Sequence, residues 1–371
     1  MQEYLKQPKK VSDKVIVNTF YNVLGRIWFV AIGVLLTPYI IGRVGVERYA
    51  VWALVGVITG YFGLLDFGVG SSFVKYISEF EAKKDYAAVN RLVNTGFAFY
   101  ALFGLLVLAL SFVCIGPLME FLKIPPALRP EAKFVFLLGI AVFCGSDAMG
   151  PFLAVQSGMQ RMDISNKIAM AMSTVTVAGT LFFLEQGFGL AGLILTNAIV
   201  FVLTAIVGIF AAHHLLPQLA FDPFSWDTAT FKRIFSFGFK VQVTRISGTV
   251  TSQTDKILIT YFLTIGLVTV YQLGSSVVSY AMAIPALLVS ALVPAFSEIH
   301  ARQEHKKLVE AYLQSTKYLS CITAPLFLFV ATSAGRIMDI WMGQGFGQSA
   351  IIIQILCELF LLLIEYSCLC I

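Results

Sequence analysis

Long apolar runs separated by short polar segments form the pattern of this chain. The runs lie at residues 16–40, 47–70, 91–115, 133–155, 165–184, 189–211, 234–262, 266–294, 309–331 and 348–369. Each has the roughly 20 residues that a helix needs to cross a hydrocarbon core of about 30 Å. The sequence contains no series of alternating segments of about 10 residues, the pattern of a membrane β-barrel. It therefore predicts an all-α polytopic membrane protein with about 10 spans.

Composition agrees with this prediction and excludes most soluble classes. Hydrophobic residues make up 58% of the 371 residues and charged residues 13%, and the mean hydropathy is +0.83. Soluble domains average about 25% charged residues. Positive loops beside the membrane suffice to explain the net charge of +5, so we expect no nucleic-acid partner.

The sequence lacks the motifs of metal, cofactor and nucleotide chemistry. Its four histidines fall in loops without metal-ligand spacing, and its six cysteines lie mostly within the apolar runs without paired spacing. We interpret the cysteines as small apolar fillers. Neither a Walker-type phosphate loop nor a dinucleotide-binding glycine pattern occurs. We therefore expect no metal, no cofactor, no ATP hydrolysis and no enzymatic activity.

Loop charges predict the orientation of the chain in the membrane. Fifteen Lys and Arg residues fall on the side of the amino terminus and six on the opposite side. Positive loops remain in the cytoplasm, so the amino terminus is expected there. Residues 1–14 are expected to form an amphipathic lead-in. A cleaved signal peptide is not expected, because the first run is long and contains Asn18, Asn22 and Arg26.

The chain resembles itself at an offset of 219 residues. Without gaps, ISEFEAKKD after the second run aligns with FSEIHARQE after the eighth, and GRIW in the first run aligns with TRIS in the seventh. Six spans separate the partners, so both halves enter the membrane in the same direction, as in transporters with parallel repeats. We therefore predict a six-helix bundle at 15–212, a linker at 213–233 and a second bundle at 234–371, around a central cavity. The second bundle would hold four helices and be incomplete.

The segment KVQVTRISGTVTSQTDK, residues 240–256, is unusually polar for its position in the seventh run. Arg245, Thr249, Ser252 and Lys256 recur at helical spacing and form one polar stripe. A stripe of this length is typical of a helix that lines a wet cavity, although hydroxyl groups can also link helices. The pattern predicts that Arg245, Thr249 and Ser252 line a substrate cavity.

Arg26 and Arg245 occupy equivalent positions in the repeat, each near the middle of its run. A charge at that depth costs at least about 2.5–3.5 kcal/mol on insertion scales and should face water or the protein interior. The planar guanidinium group suits phosphate, so we expect both arginines to hold an anionic headgroup. Alternatively, each is neutralised by carbonyl groups or a buried acid and locks helix packing. Lys317 would add positive charge to the cavity or extend toward the membrane surface.

The fourth and the seventh apolar runs each contain an aspartate. Asp147 lies centrally in the fourth run and is expected either to respond to a coupling proton or cation or to pair with Arg26. Asp255 and Lys256 come close to the outer end of the seventh run, where a structural or gating role is favoured.

The second run ends in LLDFGVGSSFVKYISEF, residues 64–80, with Asp66 close to the cytoplasmic boundary. Gly68 and Gly70 are expected to loosen the helix before an amphipathic extension begins. For Asp66 and these two glycines we predict structural capping, with gating as the second interpretation.

Several stretches together resemble a known family. They are the polar-then-apolar first run, LTPYIIGRVGVERYAVWAL, LLDFGVGSSFVKYISE, and TSQTDKILITYFLTIGLVTVYQLGSSV in the second half. Over nearly the whole chain, the sequence is similar to bacterial polysaccharide and O-antigen flippases. These belong to the multidrug/oligosaccharidyl-lipid/polysaccharide exporter superfamily. The motifs are diffuse and more specific for the superfamily than for the substrate.

The resemblance implies two helical bundles around a cavity that opens to either side of the bacterial inner membrane in turn. Its implied substrate is a polyprenyl-pyrophosphate-linked oligosaccharide, a repeat unit of O-antigen, capsule or exopolysaccharide. Arg26, Arg245 and Lys317 would then contact the headgroup, and an ion gradient would drive transport. The implied partners are this lipid-linked oligosaccharide, membrane lipids and polymerase or export proteins.

Three alternatives remain open from the sequence. A multidrug cation antiporter of the same fold would need acidic and aromatic cavity residues, whereas the charges assigned to mid-membrane here are mainly basic. A membrane-embedded glycosyltransferase or polymerase would need a large polar loop with acidic residues and a metal or sugar site. The longest loop, about 212–233, contains only Asp222 and Asp227. A fragment that does not transport and serves as a scaffold is the third.

Overall fold

The fold is a succession of helices, most of them longer than a membrane is thick. The computed structural model describes residues 7–66, 68–222 and 226–369. In chain order the helices are α1 (Gln7–Val44), α2 (Val46–Phe62), α3 (Val69–Ala82), α4 (Tyr86–Phe121), α5 (Arg129–Gly158), α6 (Met162–Glu185), α7 (Gly189–Leu215), α8 (Thr228–Phe262), α9 (Ile265–Ala301), α10 (His305–Thr332), α11 (Ala334–Met342) and α12 (Gly347–Leu369). A short 3-10 helix, Gly63–Asp66, follows α2, and a second one, Pro126–Leu128, precedes α5. The all-α prediction is confirmed for the part of the chain described here, which contains no strand.

Fewer helices than expected are long and apolar enough to cross a membrane. Within the described ranges, six helical segments are long and apolar enough to cross a membrane: Val23–Val44, Tyr86–Phe121, Pro126–Gly158, Met162–Glu185, Gly189–Leu215 and Ile265–Val289. A seventh is added if α10 and α11, which meet at a bend of 65°, count as one broken span. The chain is therefore a multi-pass membrane protein, and the expected number of about 10 spans is not confirmed.

Close packing divides the chain into two units, residues 1–266 and 267–371. In the first unit α5 packs against α4 and α7, and α6 packs against α1 and α7. Phe73 of α3, Leu92 of α4 and Phe152 of α5 form part of its buried core. Helix α8, which the internal repeat assigns to the second half, also packs in this unit, against α2, α3 and α4. The bundle boundaries derived from the repeat remain a prediction.

The second unit is built around contacts of α12 with α10 and α11. Phe327 of α10 is fully buried, and its ring centroid lies 5.5 Å from that of Phe360 in α12. Ser349, at the start of α12, donates a hydrogen bond of 2.9 Å to the carbonyl oxygen of Val270 in α9. These contacts hold α9, α10 and α12 together.

Polar side chains attach the segment before α8 to the first unit. The Asn90 amide donates to the carbonyl of Gln218 at 2.7 Å, and its oxygen accepts from the Ala220 N–H at 2.8 Å. Asp227 then caps α8 by accepting from the N–H groups of Ala229 and Thr230 at 3.1 and 3.2 Å. The first turn of α8 is therefore held against α4 before the helix enters the membrane.

Opposite charges join α3 to α8 at the same end of the unit. Glu79 accepts from Lys83 at 2.7 Å and from Arg233 of α8 at 3.0 Å. The Lys83 hydrogen bond, with the charges of Arg233 and Lys83, holds the pKa of Glu79 below its ordinary value of 4.5. A carboxyl whose pKa is lowered by folding stabilises the fold above its unfolded pKa and loses that contribution as the pH falls through the folded pKa.

We therefore expect Glu79→Gln to lower thermal stability in detergent at pH 7 by a small amount, because the pair is exposed. The deficit relative to the parent should vanish as the pH falls below about 4. The matched control is Glu81→Gln, an exposed carboxyl on the same helix with no salt bridge among the described residues. An equal deficit for Glu79→Gln at acid and neutral pH would show that charge pairing is not its cause.

Candidate functional site

The second apolar run, expected to loosen at Gly68 and Gly70, is broken slightly earlier. Helix α2 ends at Phe62, a 3-10 helix covers Gly63–Asp66, and α3 begins at Val69. Gly68 adopts the left-handed conformation, with φ 71° and ψ 9°, which glycine reaches without steric cost. The break leaves backbone groups near its centre outside the regular helical ladder, and these groups need other partners.

Asp66 lies at the break with its carboxylate turned inward. Its side chain is buried, and its Oδ1 accepts a hydrogen bond from the Gly68 N–H. The Tyr100 hydroxyl of α4 donates to Oδ2 at 3.5 Å. A Cβ atom at Gly70 would lie 3.2 Å from Oδ2, so glycine leaves space for the carboxylate. Asp66, Gly68 and Gly70, singled out from the sequence, therefore meet in one place. Their capping or gating role remains a prediction.

Helix α8 runs antiparallel to the broken segment and contacts it at several levels. We call this contact the α2–α8 seam, and it comprises four pairs: Ser72 with Ile234, Gly68 with Gly238, Leu64 with Gln242, and Tyr61 with Thr254. Ser72 donates to the Ile234 carbonyl at 2.8 Å, and the Tyr61 and Thr254 hydroxyl oxygens are 2.7 Å apart. The seam therefore joins the polar helix α8 to the break by hydrogen bonds as well as by packing.

The two glycines of the seam allow their backbones to touch. A Cβ atom on Gly68 would overlap the carbonyl oxygen of Gly238, and one on Gly238 would come within 2.6 Å of the carbonyl carbon of Gly68. Neither position has room for a side chain. The contact brings the break and α8 as close as two backbones can approach.

Gln242 is the most exceptional polar group of the seam. It is only 3% exposed, and its amide N–H donates to the Leu64 carbonyl within the break. Its Oε1 is buried and has no hydrogen-bond partner among the described residues. Leaving such an acceptor unsatisfied costs about 1–3 kcal/mol. Next to the broken helix, this oxygen can accept a hydrogen bond or contact a cation.

The predicted polar stripe lies on α8, beyond the glycine contact. Thr249 and Lys256 are half-buried, and Ser252 is exposed and donates to the Thr249 carbonyl at 3.3 Å. Lys256 Nζ donates to Gln253 Oε1 at 3.2 Å. Arg245 belongs to α8, but its side chain lies outside the described residues. It follows Gly238 by seven residues, about two turns, and so shares a helix face with that glycine.

The remaining predicted residues make none of the four pairs of the seam. Arg26 is exposed on α1, and Asp255 is half-buried on α8. Asp147 is half-buried on α5, next to Ser146, which lines a cavity of about 220 Å³ between α5 and α7. Lys317 is exposed on α10, in the second unit. Their predicted roles in binding and coupling remain predictions.

Around the break, Tyr100, Gln242 and Gly238 were not predicted from the sequence as site residues. Gln242 lies inside the polar segment 240–256, four residues after Gly238, so its position on one face with the glycine was a usable signal. Tyr100 is one aromatic residue in a long apolar run and gives no such signal. No group of three potential metal ligands occurs among the described residues.

The sequence of this chain is similar to those of known proteins of polysaccharide biosynthesis. A family model described as "Polysaccharide biosynthesis protein" matches residues 45–352. A protein of Shigella flexneri named "Putative O-antigen transporter" is 22% identical over 340 residues, which cover 90% of this chain and 78% of that protein. The membrane protein EpsK of Bacillus subtilis (strain 168) is 20% identical over 349 residues, 91% of this chain and 67% of that protein.

Solved structures show the same fold at lower sequence identity. The inward-facing structure of a multidrug resistance MATE family transporter of the MOP superfamily superposes with a TM-score of 0.66 at 16% identity. The superposition covers 94% of this chain and 78% of that transporter. At this identity the likeness establishes the helical fold alone.

Proposed function

Because the chain belongs to the polysaccharide biosynthesis protein family, we propose that it moves a lipid-linked oligosaccharide across the bacterial inner membrane. Membership of the polysaccharide flippases makes it a membrane transporter of polysaccharide biosynthesis. The finer proposal is that its substrate is a polyprenyl-pyrophosphate-linked repeat unit of O-antigen, capsule or exopolysaccharide. We further propose that the amino terminus is cytoplasmic, in agreement with the positive loops.

The observation that carries this proposal is the polar stripe on α8. The helix has 35 residues, about 52 Å, and so is long enough to cross the membrane. It nevertheless presents Thr249, Ser252 and Lys256 in its second half, next to Arg245 by sequence. A sugar pyrophosphate entering bare hydrocarbon would pay a prohibitive desolvation cost. A helix of this kind provides hydroxyl and cationic partners for such a headgroup.

We assign the anionic headgroup to basic side chains. Arg245 and Arg26 would bind phosphate oxygens through their planar guanidinium groups, and Lys317 would add a third positive charge. Arg26 is exposed and is not packed away between helices, which suits contact with a ligand or water. Thr249 and Ser252 would donate to phosphate or sugar oxygens.

Coupling and gating are assigned to acidic and flexible positions. We propose Asp147, half-buried in α5, as the carboxylate that responds to a proton or cation, or as the charge partner of Arg26. The break at Asp66, Gly68 and Gly70 would allow α2 and α3 to change their angle, and Asp255 with Lys256 would act near the outer end of α8. Alternating access also requires that the substrate favour neither state strongly.

A multidrug cation antiporter is the second candidate, because the fold is shared with a multidrug resistance MATE family transporter. A cationic drug would be recognised through acidic and aromatic groups. The charges assigned here to the middle of the membrane are mainly basic, which favours an anionic substrate.

Reconstitution separates the two candidates. In vesicles containing the full chain and a fluorescent polyprenyl-pyrophosphate-linked oligosaccharide, we expect the headgroup to become accessible on the opposite leaflet under an imposed proton or sodium gradient. A lipophilic cation such as ethidium should not move under the same gradients. Ethidium transport without oligosaccharide movement would favour the antiporter. Movement of neither probe would contradict both assignments for this chain.

A further inference from the structure

A second feature of the first unit is an apolar groove beside the α2–α8 seam, lined in part by Tyr61 and Phe62. We call it the outer groove. It is open on one side, has a volume of about 300 Å³ and is lined by helices α2, α4, α5 and α8. Its apolar walls include Ile58, Phe62, Ile115, Leu118, Ile140 and Ile257. The space equals that of about ten water molecules at 30 Å³ each, enough for a segment of hydrocarbon chain.

The polar atoms on the groove walls are already engaged. The Tyr61 hydroxyl is paired with Thr254 at 2.7 Å, and the Ser111 hydroxyl donates to the Val107 carbonyl at 2.7 Å. The walls therefore offer hydrocarbon and no convergent set of free hydrogen-bonding groups. A sugar or phosphate would lose its hydration there without replacement, whereas an aliphatic chain would not.

One end of the groove carries a positive charge. Leu118 is followed one turn later by Phe121 and Ile257 by Tyr261, and these two rings lie 5.5 Å apart. Lys123 Nζ lies 4.8 Å from the Tyr261 ring centroid. An aromatic pair with a lysine at the end of membrane-spanning helices is typical of the headgroup level. A lipid whose chain enters the groove would place an anionic phosphate beside Lys123.

The groove also adjoins the polar stripe. Ile257 follows Lys256 by one residue, so the groove wall and the stripe occupy neighbouring faces of α8, about 100° apart. A lipid chain in the groove would therefore remain beside the helix that offers hydroxyl and cationic groups to a headgroup. This continuity points to the transported lipid and not to an unrelated one.

We propose that the outer groove binds the polyisoprenyl chain of the lipid-linked substrate, with Lys123 next to its phosphate. The inference rests on the proposed function and adds a site for the lipid part of the substrate. Through Leu118 and Ile257, one end of the groove lies near the ends of α4 and α8, at the level that the proposed orientation places in the outer leaflet. It would hold the chain as the headgroup emerges on that side.

Cys114 makes the proposal testable, because it lines the groove and its side chain is exposed. In full-length protein carrying Cys321→Ser, Cys368→Ser and Cys370→Ser, an apolar maleimide should label Cys114. The buried Cys144 and Cys357 should react slowly. In phosphatidylethanolamine vesicles, added long-chain polyisoprenyl phosphate should slow labelling in a saturable manner. Lys123→Gln should weaken this protection about fivefold, the effect of losing one basic residue beside an anionic phosphate.

Two controls test whether the protection is specific for the polyisoprenyl lipid and for the groove. Phosphatidylglycerol at the same mole fraction should not protect Cys114, and equal protection by it would identify a general lipid groove and overturn the proposal. A thiol introduced by Leu110→Cys in a Cys114→Ser background, exposed on the same helix but outside the groove, should label at an unchanged rate. Absence of any protection by polyisoprenyl phosphate would also overturn the proposal.

This measurement contains no transport step, so its outcome is separate from that of the flipping assay. Oligosaccharide flipping without protection of Cys114 would leave the proposed function standing and remove the groove. Protection without flipping would retain a polyisoprenyl site and remove the transport assignment.

Discussion

Gly68→Val is expected to remove most of the folded protein from the membrane. Gly68 has a positive φ of 71°, and an L-residue in that region costs roughly 1–2 kcal/mol. Its Cβ would also overlap the Gly238 carbonyl oxygen, and forced backbone shifts of this kind cost typically about 1–3 kcal/mol. Together these costs are a large share of a total stability of about 5–15 kcal/mol. Detergent-solubilised protein should elute mainly as aggregate in size-exclusion chromatography.

Matched glycine variants separate the two causes. Gly238→Ala introduces the same backbone overlap without a positive φ, so it should destabilise the protein by a smaller amount. Gly56→Ala, on α2 with no atom within 4 Å of the added Cβ, should be neutral or slightly stabilising. A monodisperse Gly68→Val variant with an unchanged melting temperature would show that the two backbones do not need to touch.

Arg245→Ala is expected to abolish export of the lipid-linked glycan without lowering the amount of protein in the membrane. The proposed contact is a charge-assisted hydrogen bond to phosphate, which two nitrogens of the guanidinium group can make at once. Losing this charged contact should cost the headgroup several kcal/mol, enough to reduce export by more than about a hundredfold. Export is measured as surface glycan in cells that depend on this chain, with protein level followed by immunoblot.

Three further variants test the chemistry of this contact. Arg245→Lys keeps the charge but loses the planar fork, so export should be partly restored. Arg26→Ala should also reduce export if the repeat-related arginines act on one headgroup. Arg336→Ala, an exposed arginine on α11, should leave export unchanged. Normal export by Arg245→Ala would remove the proposed role of this residue.

Much of the helical architecture was predictable because burial in lipid imposes a simple rule. Backbone groups in hydrocarbon must bond within their own segment, so each long apolar run had to become a helix. The runs at 91–115 and 189–211 correspond to α4 and α7 in this way. The helical spacing of Thr249, Ser252 and Lys256 likewise followed from the sequence, since α8 is continuous through them.

The number of spans was less predictable, because length and mean apolarity do not say where a helix bends or breaks. The run at 47–70 became α2, a 3-10 helix and the start of α3. The glycines in LLDFGVG indicated that the helix would loosen there. At the break itself, Asp66 accepts a hydrogen bond from the Gly68 N–H and α8 packs against the glycine, and neither contact could be read from the sequence.

By itself the sequence determined the all-helical membrane class, the likeness to polysaccharide flippases and the polar face of α8, and it singled out Asp66, Gly68 and Gly70. Only the tertiary structure decided that α8 packs along the broken segment, that Gly68 meets Gly238, and that Gln242 and Tyr100 lie at the break. The outer groove, formed by four helices, was also invisible in the sequence. The physical reason is that periodicity specifies which face of a helix is polar. Which helix that face meets depends on contacts between residues more than a hundred positions apart.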